Sequence, residues 1–362
     1  MGDGREGRPV GAQGDEPVDA RADERSASRR PTLKDIAQAA GVSRSTAARA
    51  LSKQGYVGAA ANARVQAAAE ELGYVPHGLA RSLRQQVSRS VGVLVSDLRN
   101  PFYADLAAGI SRHARSRGYT MVLSDDSGRA DVEREAARAF VAMRVAGVIV
   151  TPVSEEVSAF LLRQRVPVVE ADRQFATGRC EAVIVDNMAA SQRLSEHLIS
   201  LGHHRIALLI DETDWTTGRE RFRGYRESLL ASGIPADPTL LVSAGSDVDA
   251  ARKAAVDLLA RRDRPTAVFA ANNVLAEGLW RAAHDLGLRV PADLSLVSFD
   301  DAPWMSMVDP GVTAVAQDAV ALGEAALDRL LTRIDDPEAP AGTVVIDAEI
   351  QARGSTAAPR AS

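Results

Sequence analysis

The chain has 362 residues, of which 46% are hydrophobic and 25% charged, with a formal net charge of −5. That length has room for two or three domains, and the balance is ordinary for a globular protein. The one cysteine, Cys180, excludes an intrachain disulfide, and no unbroken apolar run is long enough to span a membrane.

Residues 1–30 are rich in Gly, Pro, Asp, Arg and Ser, with six Arg and seven acidic residues. They hold too few large apolar side chains to offset the entropy of ordering, so a disordered tail is expected. No apolar signal segment is present here, which makes a cytoplasmic location the expectation.

From residue 31 the pattern becomes helical. Thr32 precedes Asp35 by three, the spacing of a helix cap with an acid in the first turn. Leu33, Ile36, Ala37 and Ala40 share one face, and Gly41 is suited to stop the helix. Ser43 caps a second helix, Arg44 to Leu51, with Ala47 and Leu51 packing back on the first. Its outer face carries Arg44, Ser45, Thr46 and Arg49, side chains of the kind that read base edges in a major groove. A third helix, about Ala59 to Leu72, offers Val65, Ala68, Ala69 and Leu72 to a small core and ends at Gly73. Residues 31–90 hold eight Lys and Arg against three acids. A basic module on an acidic chain is the electrostatic footprint of a nucleic-acid binder.

TLKDIAQAAGVSRSTAARAL, followed by ELGYVPHGLARSL, resembles the headpiece and hinge of the lactose-repressor (LacI/GalR) family of bacterial transcription regulators. The resemblance implies a helix-turn-helix headpiece at 31–75 and a hinge helix with linker at 76–90. The DNA contacts it implies are Thr32, Ser43, Arg44, Ser45, Thr46 and Arg49 in the headpiece, and Ala80, Arg81, Leu83 and Arg84 in the hinge. Leu83 matches the family's minor-groove wedge. One departure concerns operator choice: Ala47-Ala48 stands where the family usually has Val-Ser.

Beyond the linker, apolar strands alternate with amphipathic helices: VGVLV, YTMVLS, GVIV, PVVEAD, AVIVD, RIALLI, LLVS, AVFAA and SLVSF. Such runs signal parallel sheets covered on both faces, and the repeat is too long for one sheet. The expected fold is therefore α/β: an all-α headpiece, then two doubly wound parallel sheets. NPFYADL, VDN, LGHHRIAL, RFRGY and LSLVSFDD make this half resemble the family's core, which is similar to periplasmic sugar-binding proteins. The core is placed at 91–355, with lobe 1 at about 91–186 and 317–341, lobe 2 at about 187–315 and 342–355, and a tail at 356–362. Crossings between lobes are expected near Asp186, Ala316 and Gly342.

No phosphate-binding GxxxxGK[ST], HExxH or CxxC motif is present, so neither an enzyme nor a cofactor or metal is expected. His203 and His204 read as structural, and Asp300 and Asp301 as pointing to opposite faces. In open α/β sheets, ligands bind beyond the carboxyl ends of the strands. Phe102, Tyr103, Asp172, Arg173, Trp215, Thr217, Arg221, Asn273 and Asp300 fall at such ends and form the expected effector site. Phe102, Arg173, Arg221, Asn273 and Asp300 also match the family's effector positions. Asn272-Asn273 stands where many relatives have Asn-Asp. A sugar or sugar derivative suits these side chains, with a purine stacked on Phe102 and Trp215 as the alternative. The resulting expectation is a transcriptional repressor that binds a pseudopalindromic operator in double-stranded DNA as a homodimer, switched by a small-molecule effector. A sugar-binding module without DNA binding is the competing reading.

Overall fold

The structure, a computed structural model, describes residues 31–52, 55–74, 88–211 and 213–360. The chain divides into two compact units, one ending at Gln86 and the other beginning at Val87. Among the described residues, no helix is long and apolar enough to cross a membrane.

The first unit contains α1 (Leu33–Ala39), α2 (Arg44–Ser52) and α3 (Ala59–Glu71). Asp35 accepts from both the Thr32 backbone N–H and its hydroxyl, each at 2.7 Å, which fixes the start of α1. Gly41 sits at φ +64°, the left-handed turn that lets α2 fold back. Ile36, Ala37, Ala40, Ala47, Ala50, Val65, Ala68 and Ala69 form a core of mostly small side chains, so the three helices pack closely. Ala47 is buried and Leu51 packs half-buried against this cluster, as expected, with Ala50 buried beside it.

The second unit holds two six-stranded sheets. The first runs β11 (Thr343–Ile346), β5 (Glu181–Val185), β4 (Val168–Ala171), β3 (Val148–Val150), β1 (Ser90–Val95) and β2 (Thr120–Asp125). The second runs β12 (Ala348–Gln351), β10 (Thr313–Gln317), β9 (Ser295–Phe299), β8 (Ala267–Ala270), β6 (Ile206–Ile210) and β7 (Leu241–Ser243). The first lobe is covered by α4 (Pro101–Ser116), α5 (Ala130–Met143), α6 (Glu155–Arg163) and α11 (Ala319–Asp335). The second carries α7 (Asn187–Ser200), α8 (Thr216–Ala231), α9 (Val248–Leu259) and α10 (Asn273–Asp285). Helices α4 and α11 meet at paired glycines: a Cβ on Gly109 would lie 2.6 Å from the Val320 carbonyl, and one on Gly323 2.5 Å from that of Leu106.

The chain passes between lobes at Asp186, Asp318 and Asp347. The third crossing corrects the expectation near Gly342. Thr343–Ile346 pairs in parallel with β5 on the first sheet, and Ala348–Gln351 then pairs antiparallel with β10 on the second. One apolar stretch, TVVIDAEI, thus serves both lobes, and its last strand is an antiparallel exception in a parallel sheet. The expected tail is also partly built into the second lobe. Just before it Ser355 is fully buried, and within it the Ala357 carbonyl accepts from Ser295 and Arg360 pairs with Asp293 at 2.7 Å. His203 belongs to the same seam, buried between Thr266, Ser295 and Ala357.

Candidate functional site

In the headpiece, Arg44, Ser45 and Arg49 are exposed on α2 and Thr46 is half-buried. Ser43 accepts from the Thr46 backbone N–H at 3.1 Å, and its hydroxyl also meets those of Ser45 and Thr46 at 2.8 Å. Capping and a hydroxyl cluster thereby fix the first turn, while Arg44 extends from it. Thr32 is engaged in the α1 cap. Ala80, Arg81, Leu83 and Arg84 lie outside the described residues.

In the second unit, the carboxyl ends of both sheets face a cavity of about 360 Å³. Eight of the nine expected effector residues line it: Phe102, Tyr103, Asp172, Arg173, Trp215, Thr217, Arg221 and Asp300. The ninth, Asn273, donates instead to Asn100 across the lobes at 2.9 Å, and its neighbour Asn272 lines the cavity.

Each lobe contributes an aspartate and an arginine. On the first, Asp172 follows β4 at φ +67°. Arg173 beside it donates to the Tyr103 hydroxyl at 2.7 Å and to Ser96 at 2.9 Å, and its Nε lies 3.7 Å from Asp172. On the second, Asp300 follows β9 at φ +66°, and Arg221 Nη1 lies 3.7 Å from it. Both carboxylates thus stand in the left-handed region that non-glycine residues enter at a cost, a form of strain that clusters at ligand sites. Burial pushes both above the ordinary carboxylate range, and the neighbouring arginines pull them back. Arg173 also stacks on Trp215 from the other lobe, 3.8 Å from the ring centroid, and Arg221 covers Phe299 at 3.7 Å. Asp301, by contrast, turns away and pairs with Arg353 at 2.6 Å.

Sequence reasoning missed four supporting groups. Ser96 holds Arg173, Gln317 donates to Asp300, and Asn187 accepts from Arg221 at 2.8 Å. Asp211 accepts from Asn272 at 2.9 Å. Asp211 and Ser96 follow apolar strands and were findable by the strand-end rule. Asn187 closes the VDN run just after β5 but has no role in the expected site, and Gln317 flanks a lobe crossing with no local pattern to mark it.

Asp126, next to the loop Ser127-Gly128 that lines the cavity, is fully buried. One oxygen accepts from the Gly128 N–H at 2.8 Å, while Oδ2 has no partner among the described residues. Burial raises this carboxyl from 3.8 to about 7. Between those values the native state holds a proton that the unfolded state has released, so stability falls as pH rises through the interval. Asp126→Asn should flatten that fall. Its melting temperature should match wild type below about pH 4 and exceed it by a growing margin up to about pH 7; parallel curves would contradict the assignment.

The fold defines a class: a helix-turn-helix unit followed by a two-lobed binding-protein core whose cleft suits a small ligand. Residues 32–77 match the model for bacterial regulatory proteins of the lacI family, and residues 195–356 match a periplasmic binding protein-like domain. The chain is 31% identical to the ribose operon repressor of Escherichia coli (strain K12) over 327 residues, which is 90% of this chain and 99% of that protein. It is also 31% identical to the HTH-type transcriptional repressor PurR of Vibrio atlanticus (strain LGP32), covering 85% of this chain and 93% of that one. The crystal structure of the Lac repressor dimer bound to operator and the anti-inducer ONPF superposes with a TM-score of 0.81 at 29% identity, covering 91% of this chain and all of that one. The chain belongs to the LacI family of bacterial regulatory proteins. It is accordingly a DNA-binding, ligand-responsive transcriptional repressor rather than an enzyme.

Proposed function

We propose that the effector is a neutral sugar or sugar derivative held in the interlobe cavity, and that it switches the affinity of a homodimer for a pseudopalindromic operator in the cytoplasm. The observation that carries this reading is the facing pair of charge sets, Asp172 with Arg173 and Asp300 with Arg221. A carboxylate accepts from two adjacent hydroxyls while a guanidinium donates to ring and hydroxyl oxygens, and such charge-assisted bonds are the strong kind. Four aspartates line the cavity against three arginines, a balance that disfavours an anionic ligand. Phe102 lines the cavity and supplies an aromatic surface for the apolar face of a ring. One face of Trp215 is already covered by Arg173, which weakens the alternative of a purine stacked on it. The Lac repressor's dimeric complex with operator supports the homodimer, because two headpieces related by two-fold symmetry read a symmetric site.

A thermal-shift series tests the ligand class. D-ribose, other pentoses, hexoses and free purines would be compared on the full chain. A ligand at about 100 times its dissociation constant adds about 2.7 kcal/mol of stability. The reading expects a neutral sugar to give such a shift and purines none. A shift with a purine alone would transfer the site to the alternative.

A further inference from the structure

Asn187 stands at the first lobe crossing with 6% of its surface exposed. Its Nδ2 donates to the carbonyl of Val185, the last residue of β5 on the first lobe, at 3.0 Å. Its Oδ1 accepts from Arg221 Nε on the second lobe at 2.8 Å. The two partners fix the amide's orientation, since a carbonyl only accepts and a guanidinium only donates. One side chain therefore joins the backbone of the crossing to an arginine that lines the cavity.

The amide is not needed to start α7. Asp186 already caps that helix, accepting from the Ala189 N–H at 2.9 Å. Nor does Arg221 depend on Asn187 for its whole placement, because its Nη1 also donates to the Ala271 carbonyl at 2.7 Å. What Asn187 adds is the link between the two. The second crossing repeats the arrangement: Gln317, one residue before Asp318, donates to Asp300, the carboxylate partner of Arg221.

We propose that Asn187 is a positioning residue that couples the cleft to the hinge. By holding Arg221 and the Val185 carbonyl on one planar amide, it makes a displacement of Arg221 act on the crossing at Asp186. This rests on reading Arg221 as a ligand-facing group. Asn187 itself does not touch the ligand.

Hydrogen exchange across residues 183–190 of the full chain, without ligand, tests the coupling in wild type, Arg221→Ala, Asn187→Asp and the double variant. Asn187→Asp keeps an acceptor for Arg221 but loses the donor to Val185. Arg221→Ala should speed exchange at the crossing by about tenfold in the wild-type background, the effect of losing a buried hydrogen bond to a charged group, and should add little once Asn187→Asp is present. Unchanged exchange in Arg221→Ala, or the same increase in both backgrounds, overturns the proposal. Should Arg221→Ala fail to fold, Arg221→Lys retains the charge without the Nε bond and takes its place in the cycle. A second arm adds D-ribose. Asn187→Asp should bind it within a few-fold of wild type yet lose the ribose-induced protection of the crossing, whereas protection retained in that variant counts against coupling. If wild type does not bind ribose, the ligand reading fails for that sugar, and the ligand-free cycle still decides the role of Asn187.

Discussion

Replacing Asp300 with alanine should remove the response to effector while leaving ligand-free operator binding in place. The carboxylate is buried at the end of β9, receives the Gln317 amide and stands 3.7 Å from Arg221. Deleting it removes an acceptor for ligand hydroxyls and leaves the Arg221 charge without its carboxylate. The loss of a hydrogen bond to a charged group sets the expected cost in effector affinity at about 1.5–3 kcal/mol. The headpiece is stabilised by its own core, so its DNA-reading surface should persist. Operator affinity, measured with and without effector for wild type and variant, checks this. A variant that responds at wild-type effector concentrations places Asp300 outside the site. One that loses operator binding without any effector makes Asp300 a structural residue.

The second large effect concerns Arg44. It is exposed at the start of α2, whose first turn is fixed by Ser43. If it forms a bidentate contact with a base, Arg44→Ala should weaken specific binding by about 1–3 kcal/mol and relax specificity at one operator position. Competition binding against random duplex separates the possibilities. Equal losses on specific and random DNA would make Arg44 a phosphate contact, with a shallower salt dependence as its mark.

Most of the architecture was legible because it rests on local rules. The capped start of α1, the glycine turn before α2 and the apolar strands between amphipathic helices each carry their signal within a few residues. The strand-end rule gathers Asp172, Arg173, Arg221 and Asp300 from the sequence, since parallel α/β sheets place such residues on one side. What escaped depends on contacts distant in sequence. Residues 342–355 are expected together in the second lobe, yet Asp347 divides TVVIDAEI between two sheets, and only pairing with β5 and β10 reveals this. Asn273 occupies a strand end like its neighbours but spends its donor on Asn100 from the other lobe. Residues 356–362 read as a tail, yet the Ala357 carbonyl accepts from His203, continuing the seam in which Ser355 accepts from the Thr313 N–H. Asn187 reaches Arg221 only because the chain crosses between lobes beside it.

The central claim is that occupancy of the interlobe cavity changes the affinity of the headpiece for its operator. Its most direct test is fluorescence anisotropy of the full chain on a labelled pseudopalindromic duplex, with and without the sugar that gives the largest thermal shift. The expected result is a change in operator affinity of at least about fivefold, the lower end of ordinary allosteric coupling, that disappears in Asp300→Ala. The same operator affinity in wild type with the cavity empty and with it saturated would contradict the account.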